Sequence, residues 1–149
     1  MPLFGYLILT LVLVVLDQLV KYWVVAHIAL NASRPLVPNL LALTNLHNDG
    51  AAWSILEGQQ WFFTVVTILA IVVIGYLFYR WRHQAALLWP LTLILAGTIG
   101  NFIDRVQNGY VVDMFELLFV NFPVFNVADC CLTIGVVWLL IIFIREEEE

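Results

Sequence analysis

Charge is what this chain has least of. Lys, Arg, Asp and Glu make up 11% of its 149 residues, against about 25% in ordinary soluble domains. So few polar groups cannot cover a soluble core, and 63% of the residues are hydrophobic. That excludes an ordinary water-soluble domain and leaves an integral membrane protein of one domain, residues 1–149. Lys and Arg total six and are scattered. A basic stripe is missing, so no nucleic-acid partner is expected. The only cysteines, Cys130 and Cys131, are neighbours, and adjacent helical residues point about 100° apart, poor geometry for a mutual disulfide. They read as two small apolar helix residues. The three histidines, His27, His47 and His83, are dispersed and no HExxH occurs. A zinc protease is therefore disfavoured, and neither a metal nor any other cofactor is expected. Four of the negatives behind the net charge of −5 come from Glu146–Glu149, which read as a solvated tail.

Long apolar runs are what the chain does have. They predict four transmembrane helices at about 3–28, 61–79, 85–101 and 127–144, with outer loops at 29–60 and 102–126. The second run, Trp61 to Tyr79, is roughly 28 Å long as a helix, enough to cross the hydrocarbon core. The first has no basic leader, and Asp17 and Lys21 follow its apolar part, so it reads as a retained span rather than a cleaved signal. Pro35 and Pro38 break any helix in the first outer loop, and Leu40–Leu46 is short enough for a strand. Arg80 and Arg82 in a tight link indicate the cytoplasmic side, which puts both termini there too. Gly97 and Gly100, three apart, permit a neighbouring helix to approach closely.

Against this background the carboxylates between Gly97 and Asp129 require an explanation, because acids are expensive to place in a membrane. Asp113 lies in the apolar run YVVDMF, and Asp129 lies one turn into the last span. Each has a plain structural role open to it. Asp113 fits a surface acid at the lipid headgroups, and Asn126 and Asp129 have the spacing of a helix-capping pair. Brought within about 3–5 Å, however, the two would share a proton, one serving as base on a water and the other as acid. That chemistry cuts a peptide bond without metal or covalent intermediate.

Other polar groups could support such a site. Asp17 and Lys21 have the favoured acid-first spacing for an intrahelical pair; they either satisfy each other near the interface or brace a site. Asn48-Asp49-Gly50 is a turn signal followed by Ala51, Ala52 and Trp53. It is an ordinary interfacial turn with a tryptophan anchor, or a place where another backbone comes close. Asn101, Asp104 and Arg105 follow the glycines; Asp104 and Arg105 anchor a polar network, or Arg105 holds a lipid phosphate or a peptide carbonyl. A Ser54–Lys21 dyad is the weaker enzymatic alternative, since nothing near Ser54 marks a nucleophile turn. A non-enzymatic membrane carrier or scaffold is the alternative from another class. Carriers usually keep acids near the midplane, often in repeated halves, whereas here they gather at one interface.

At these same residues the chain resembles the lipoprotein signal peptidase (signal peptidase II) family. The blocks are DQLVK at Asp17–Lys21, NDGAAWS at Asn48–Ser54, GNFIDR at Gly100–Arg105, GYVVDM at Gly109–Met114 and FNVADC at Phe125–Cys130, all in order. Trp53 stands where phenylalanine is more usual, and Cys130 after the aspartate is a second departure. The resemblance implies an all-α membrane aspartyl endopeptidase: four transmembrane helices with a small extracytoplasmic β-like loop region. It makes Asp113 and Asp129 catalytic, Asn48, Asn101, Asp104, Arg105 and Asn126 supporting, and Asp17 and Lys21 bracing. Apart from the resemblance, the first loop, with Gly50, Ala51 and Ala52, is expected to cover the site. The resemblance further implies a bacterial prolipoprotein substrate, cut just before a diacylglyceryl-modified cysteine, and inhibition by globomycin. The expected setting is the bacterial cytoplasmic membrane among its lipids, with cytoplasmic termini and a site near the outer face. One chain carries every motif, so a monomer suffices.

Overall fold

The computed structural model describes residues 3–50 and 58–147. The elements run α1 (Leu3–His27), β1 (Ser33–Val37), β2 (Leu41–Asn48), α2 (Gln60–Arg80), α3 (Ala85–Asn108), β3 (Val111–Leu117) and α4 (Val127–Glu147). All four helices are long and apolar enough to cross a membrane. The three strands form one antiparallel sheet in the order β1-β2-β3, so the all-α architecture with a small β region is the one observed.

α3 is the central helix and packs against α1, α2 and α4. α2, apolar on all sides, packs chiefly on α3 and buries only Ile74 and Phe78. With lipid around them, helices gain little from hydrophobicity alone and associate through close packing at small residues. Gly97 and Gly100 supply this contact: a Cβ on Gly97 would collide with the carbonyl oxygen of Ala128 and come within 2.7 Å of Leu132 Cγ. Gly135 does the same from α4, where a Cβ would lie 2.8 Å from the Pro90 carbonyl oxygen. Gly97→Ala should therefore force α3 and α4 apart and destabilise by about 1–3 kcal/mol. Thermal unfolding in detergent checks this, with Gly75→Ala, where a Cβ meets nothing within 4 Å, as the neutral control.

Two apolar clusters fix the ends of the bundle. Tyr6, Ile74, Phe78, Leu88 and Leu91 close one, and Val24, Ile28, Val112 and Met114 join the end of α1 to the sheet at the other. Asn45 ties the same junction, its side-chain NH2 donating to the Ile28 carbonyl at 2.8 Å. Pro35 sits in β1, an edge strand, where its missing N–H costs no ladder bond.

α3 differs from expectation. It does not end near Asn101 but continues through Asn108, where Gly109 takes a left-handed conformation (φ 79°) and donates back to the Arg105 carbonyl. Asp104 and Arg105 consequently lie on this helix with Asn101, not in the loop expected from residue 102 onward. β3 then occupies the middle of that stretch.

Candidate active site

α1, α3, β3 and α4 converge on one polar cluster. It begins with Lys21, buried on α1 at 3% exposure. Its three ammonium protons have three acceptors: Asp17 Oδ2 at 2.9 Å, Asp104 Oδ2 at 2.9 Å and Asn101 Oδ1 at 3.0 Å. A buried ammonium is tolerable only when paired and hydrogen-bonded in this way. The lysine fixes the orientation of the Asn101 amide, whose NH2 must then point the other way, and it donates to Asp129 Oδ1 at 2.8 Å.

Asn126 joins the two aspartates. Its NH2 donates to Asp113 Oδ1 at 2.7 Å and to Asn101 Oδ1 at 3.1 Å. Its Oδ1 accepts the Asp129 N–H at 2.9 Å, and its own N–H donates to Asp129 Oδ2 at 3.1 Å. The reciprocal pair is a capping box at the start of α4, as the spacing suggested. Asn48 donates to the other oxygen of Asp113 at 2.9 Å, and its Oδ1 accepts the Gly50 N–H at 3.0 Å. That Asx turn locks the Asn48 amide.

Asp113 is not at a headgroup surface. It is 2% exposed on β3, while Asp129 is half-buried. Burial pushes the Asp113 carboxyl up to about 7, and the neighbouring Asp129 charge adds to the rise. The Asn48 and Asn126 donors and the Lys21 charge oppose it. A cleft of about 570 Å³ opens beside the pair, lined by Asn48, Gly50, Asn101, Arg105, Asp113 and Asp129 with Leu117, Phe122, Phe125, Leu132 and Ile134. It combines a few convergent polar groups with apolar walls.

Arg105 does not pair with Asp104 next to it. Its guanidinium lies 5.0 Å over the Phe63 ring of α2 and faces the cleft. Asp104 turns inward to Lys21. Ala51, Trp53 and Ser54 lie outside the described residues. Lys21, with every proton committed, is unsuited to act as a base on a serine. One participant escaped the sequence reading: Gln18 donates to Asp17 Oδ2 at 3.1 Å, Asp104 Oδ1 at 3.0 Å and the Gly100 carbonyl at 3.2 Å. Its i, i+3 spacing to Lys21, which makes the two neighbours on α1, is the signal the sequence offers.

Comparison with known proteins shows the family. The family model for signal peptidase (SPase) II matches residues 9–145. A lipoprotein signal peptidase of Lactiplantibacillus plantarum is 55% identical over 142 residues, covering 95% of each chain. One from Streptococcus pyogenes serotype M1 is 51% identical and covers 93% of this chain and 91% of its own. A bacterial membrane enzyme of known structure, 34% identical, superposes with a TM-score of 0.92 over 96% of this chain and 89% of its own. A second solved bacterial membrane enzyme, also 34% identical, gives 0.86. With five motif blocks, four membrane-length helices and these relatives in agreement, the chain belongs to the signal peptidase II family and is a multi-pass membrane peptide hydrolase.

Proposed function

We propose that Asp113 and Asp129 act as an acid–base pair that removes the signal peptide from a prolipoprotein, cutting the bond before a diacylglyceryl-modified cysteine. The observation that carries the reading is Asn126, which hydrogen-bonds both carboxylates and so holds them at one wall of the cleft. Asp129, the more accessible of the two and in the first turn of α4, is the base. Asp113, buried and raised toward neutrality, keeps the shared proton.

Asp129 takes a proton from water as its oxygen attacks the scissile carbonyl carbon, while Asp113 gives its proton to the carbonyl oxygen. On collapse of the tetrahedral species, Asp129 returns its proton to the leaving amine and Asp113 recovers one from the gem-diol. Atoms and charge balance with one water consumed. Arg105 is placed to take a carbonyl or phosphate oxygen of the substrate. The apolar part of the signal peptide lies in the cleft along Leu132 and Ile134 on α4. The Asn48–Gly50 turn borders the cleft, with Asn48 holding Asp113. A lipid-modified cysteine keeps its acyl chains in the outer leaflet, so the site faces outward and the termini are cytoplasmic. A single chain holds all the groups required and works as a monomer.

Purified enzyme in detergent should cleave a diacylglyceryl-modified prolipoprotein and leave the unmodified precursor intact. Its pH dependence follows from the raised carboxyl. Below about 7 Asp113 is protonated and the pair holds its one proton; above about 7 both ionise and the acid is lost. kcat/KM should therefore fall about tenfold per pH unit on the alkaline side of 7. Equal cleavage of both precursors would end the substrate assignment, and a flat profile from pH 6 to 9 would end the acid assignment.

A further inference from the structure

We infer that Lys21, Asp17 and Asp104 form a yoke that sets the separation of Asp113 and Asp129, an inference resting on the acid–base roles proposed above. The observation is a matched pair of backbone contacts. Asp17 Oδ1 accepts the N–H of Ala128 at 2.9 Å, the residue immediately before Asp129. Asp104 Oδ2 accepts the N–H of Val112 at 3.0 Å, the residue immediately before Asp113. Lys21 Nζ lies 2.9 Å from each of these two carboxylates. A cation on α1 thus connects the start of α4 to the strand β3 through two carboxylate-to-backbone contacts. Gln18 spans the same two carboxylates beside it. Gly100 leaves room for the arrangement, since a Cβ there would lie 2.7 Å from Asp17 Oδ2.

The contacts hold backbone rather than side chains, so any shift in the yoke carries an aspartate with it. Displacement by about 1 Å can cost on the order of 10²-fold in rate. The coupling between two carboxylates also depends on their distance. The yoke residues touch neither cleft nor scissile bond in this scheme; they are positioning residues. Sequence spacing alone showed the α1 pair and not the two amides it controls.

Substituting the carboxylates by amides would change charge as well as geometry, so the test keeps charge constant. The charged groups facing the pair are Lys21 and Asp17 on α1 and Asp104 and Arg105 on α3. Asp17→Glu and Asp104→Glu leave all of them as they are in charge and lengthen one arm by a methylene. Each should lower kcat about 10²-fold, hold KM within about threefold because no contact to substrate is lost, and move the alkaline limb of the pH profile to lower pH as the aspartates separate. A structural role alone would reduce the amount of folded enzyme and leave the limb where it was. Gln18→Met, which keeps Lys21 paired, should shift kcat and the limb in the same sense by less, about tenfold in kcat, and it decides the matter if the glutamate variants do not fold. Wild-type kcat, or a lowered kcat with an unmoved limb, overturns the yoke. Asp113→Asn runs alongside: if it is active, both the yoke and the dyad fall, whereas if it is inactive beside unchanged yoke variants, only the yoke falls.

Discussion

Asp113→Asn and Asp129→Asn should each yield a folded, membrane-inserted protein that binds lipidated precursor and does not cleave it. Losing one partner of a general acid–base pair costs at least about 10²–10⁴-fold. Folding should survive because the change is nearly isosteric. Each carboxylate accepts two donors, Asn48 and Asn126 at Asp113 and Asn101 and the Asn126 N–H at Asp129. An amide oxygen keeps one of these, and its NH2 meets the other donor. The lost hydrogen bond costs about 1 kcal/mol, offset at position 113 by no longer burying an ionisable group. Because the two act as a unit, the double variant should be no worse than either single one. Binding is read with a non-cleavable lipopeptide, expected within about threefold of wild type. Full cleavage by either variant would mean that the pair is not the catalytic device.

Lys21→Met should be the most destabilising single substitution in the polar cluster. It leaves Asp17 and Asp104 buried, at 1% and 2% exposure, with no cation between them. Removing one partner of a buried ion pair costs about 3–5 kcal/mol. For a chain of this length that is a fall of roughly 10 °C in melting temperature. Lys21→Arg should not restore it, since a planar guanidinium cannot place three donors on Asp17, Asp104 and Asn101 as an ammonium does. Thermal denaturation in detergent measures both, and a Lys21→Met protein as stable as wild type would show that the cluster is not held by this charge.

Much of this was legible in the residues. The four helices follow from apolar length, and the Asn126–Asp129 cap and the Asp17–Lys21 pair from spacing. The sheet was only partly visible. β2 carries a register shift between Leu43 and Leu46, so its residues do not alternate cleanly, and β3 carries an acid among apolar residues, which looks like a loop at a headgroup. The polar residues Asn101, Asp104 and Arg105 suggest a helix end near Asn101, seven residues before the actual one at Asn108. They are polar because that part of the helix faces the cluster, not because the helix has stopped. Which acid pairs with which cation could not be read from order along the chain: Asp104 sits beside Arg105 but turns to Lys21, from a different helix. Gln18 is uncharged, and only its i, i+3 spacing to Lys21 links it to the charged pair.

The central claim is that the pair carries one proton near neutral pH and that Asp113 holds it. Infrared difference spectroscopy between pH 6 and pH 8 measures this directly, through the C=O stretch that only a protonated carboxyl shows. The account predicts one such band in the wild-type enzyme, lost as pH rises through about 7 and absent in Asp113→Asn. A spectrum without a protonated carboxyl at pH 6, or a band that persists unchanged in Asp113→Asn, would contradict it.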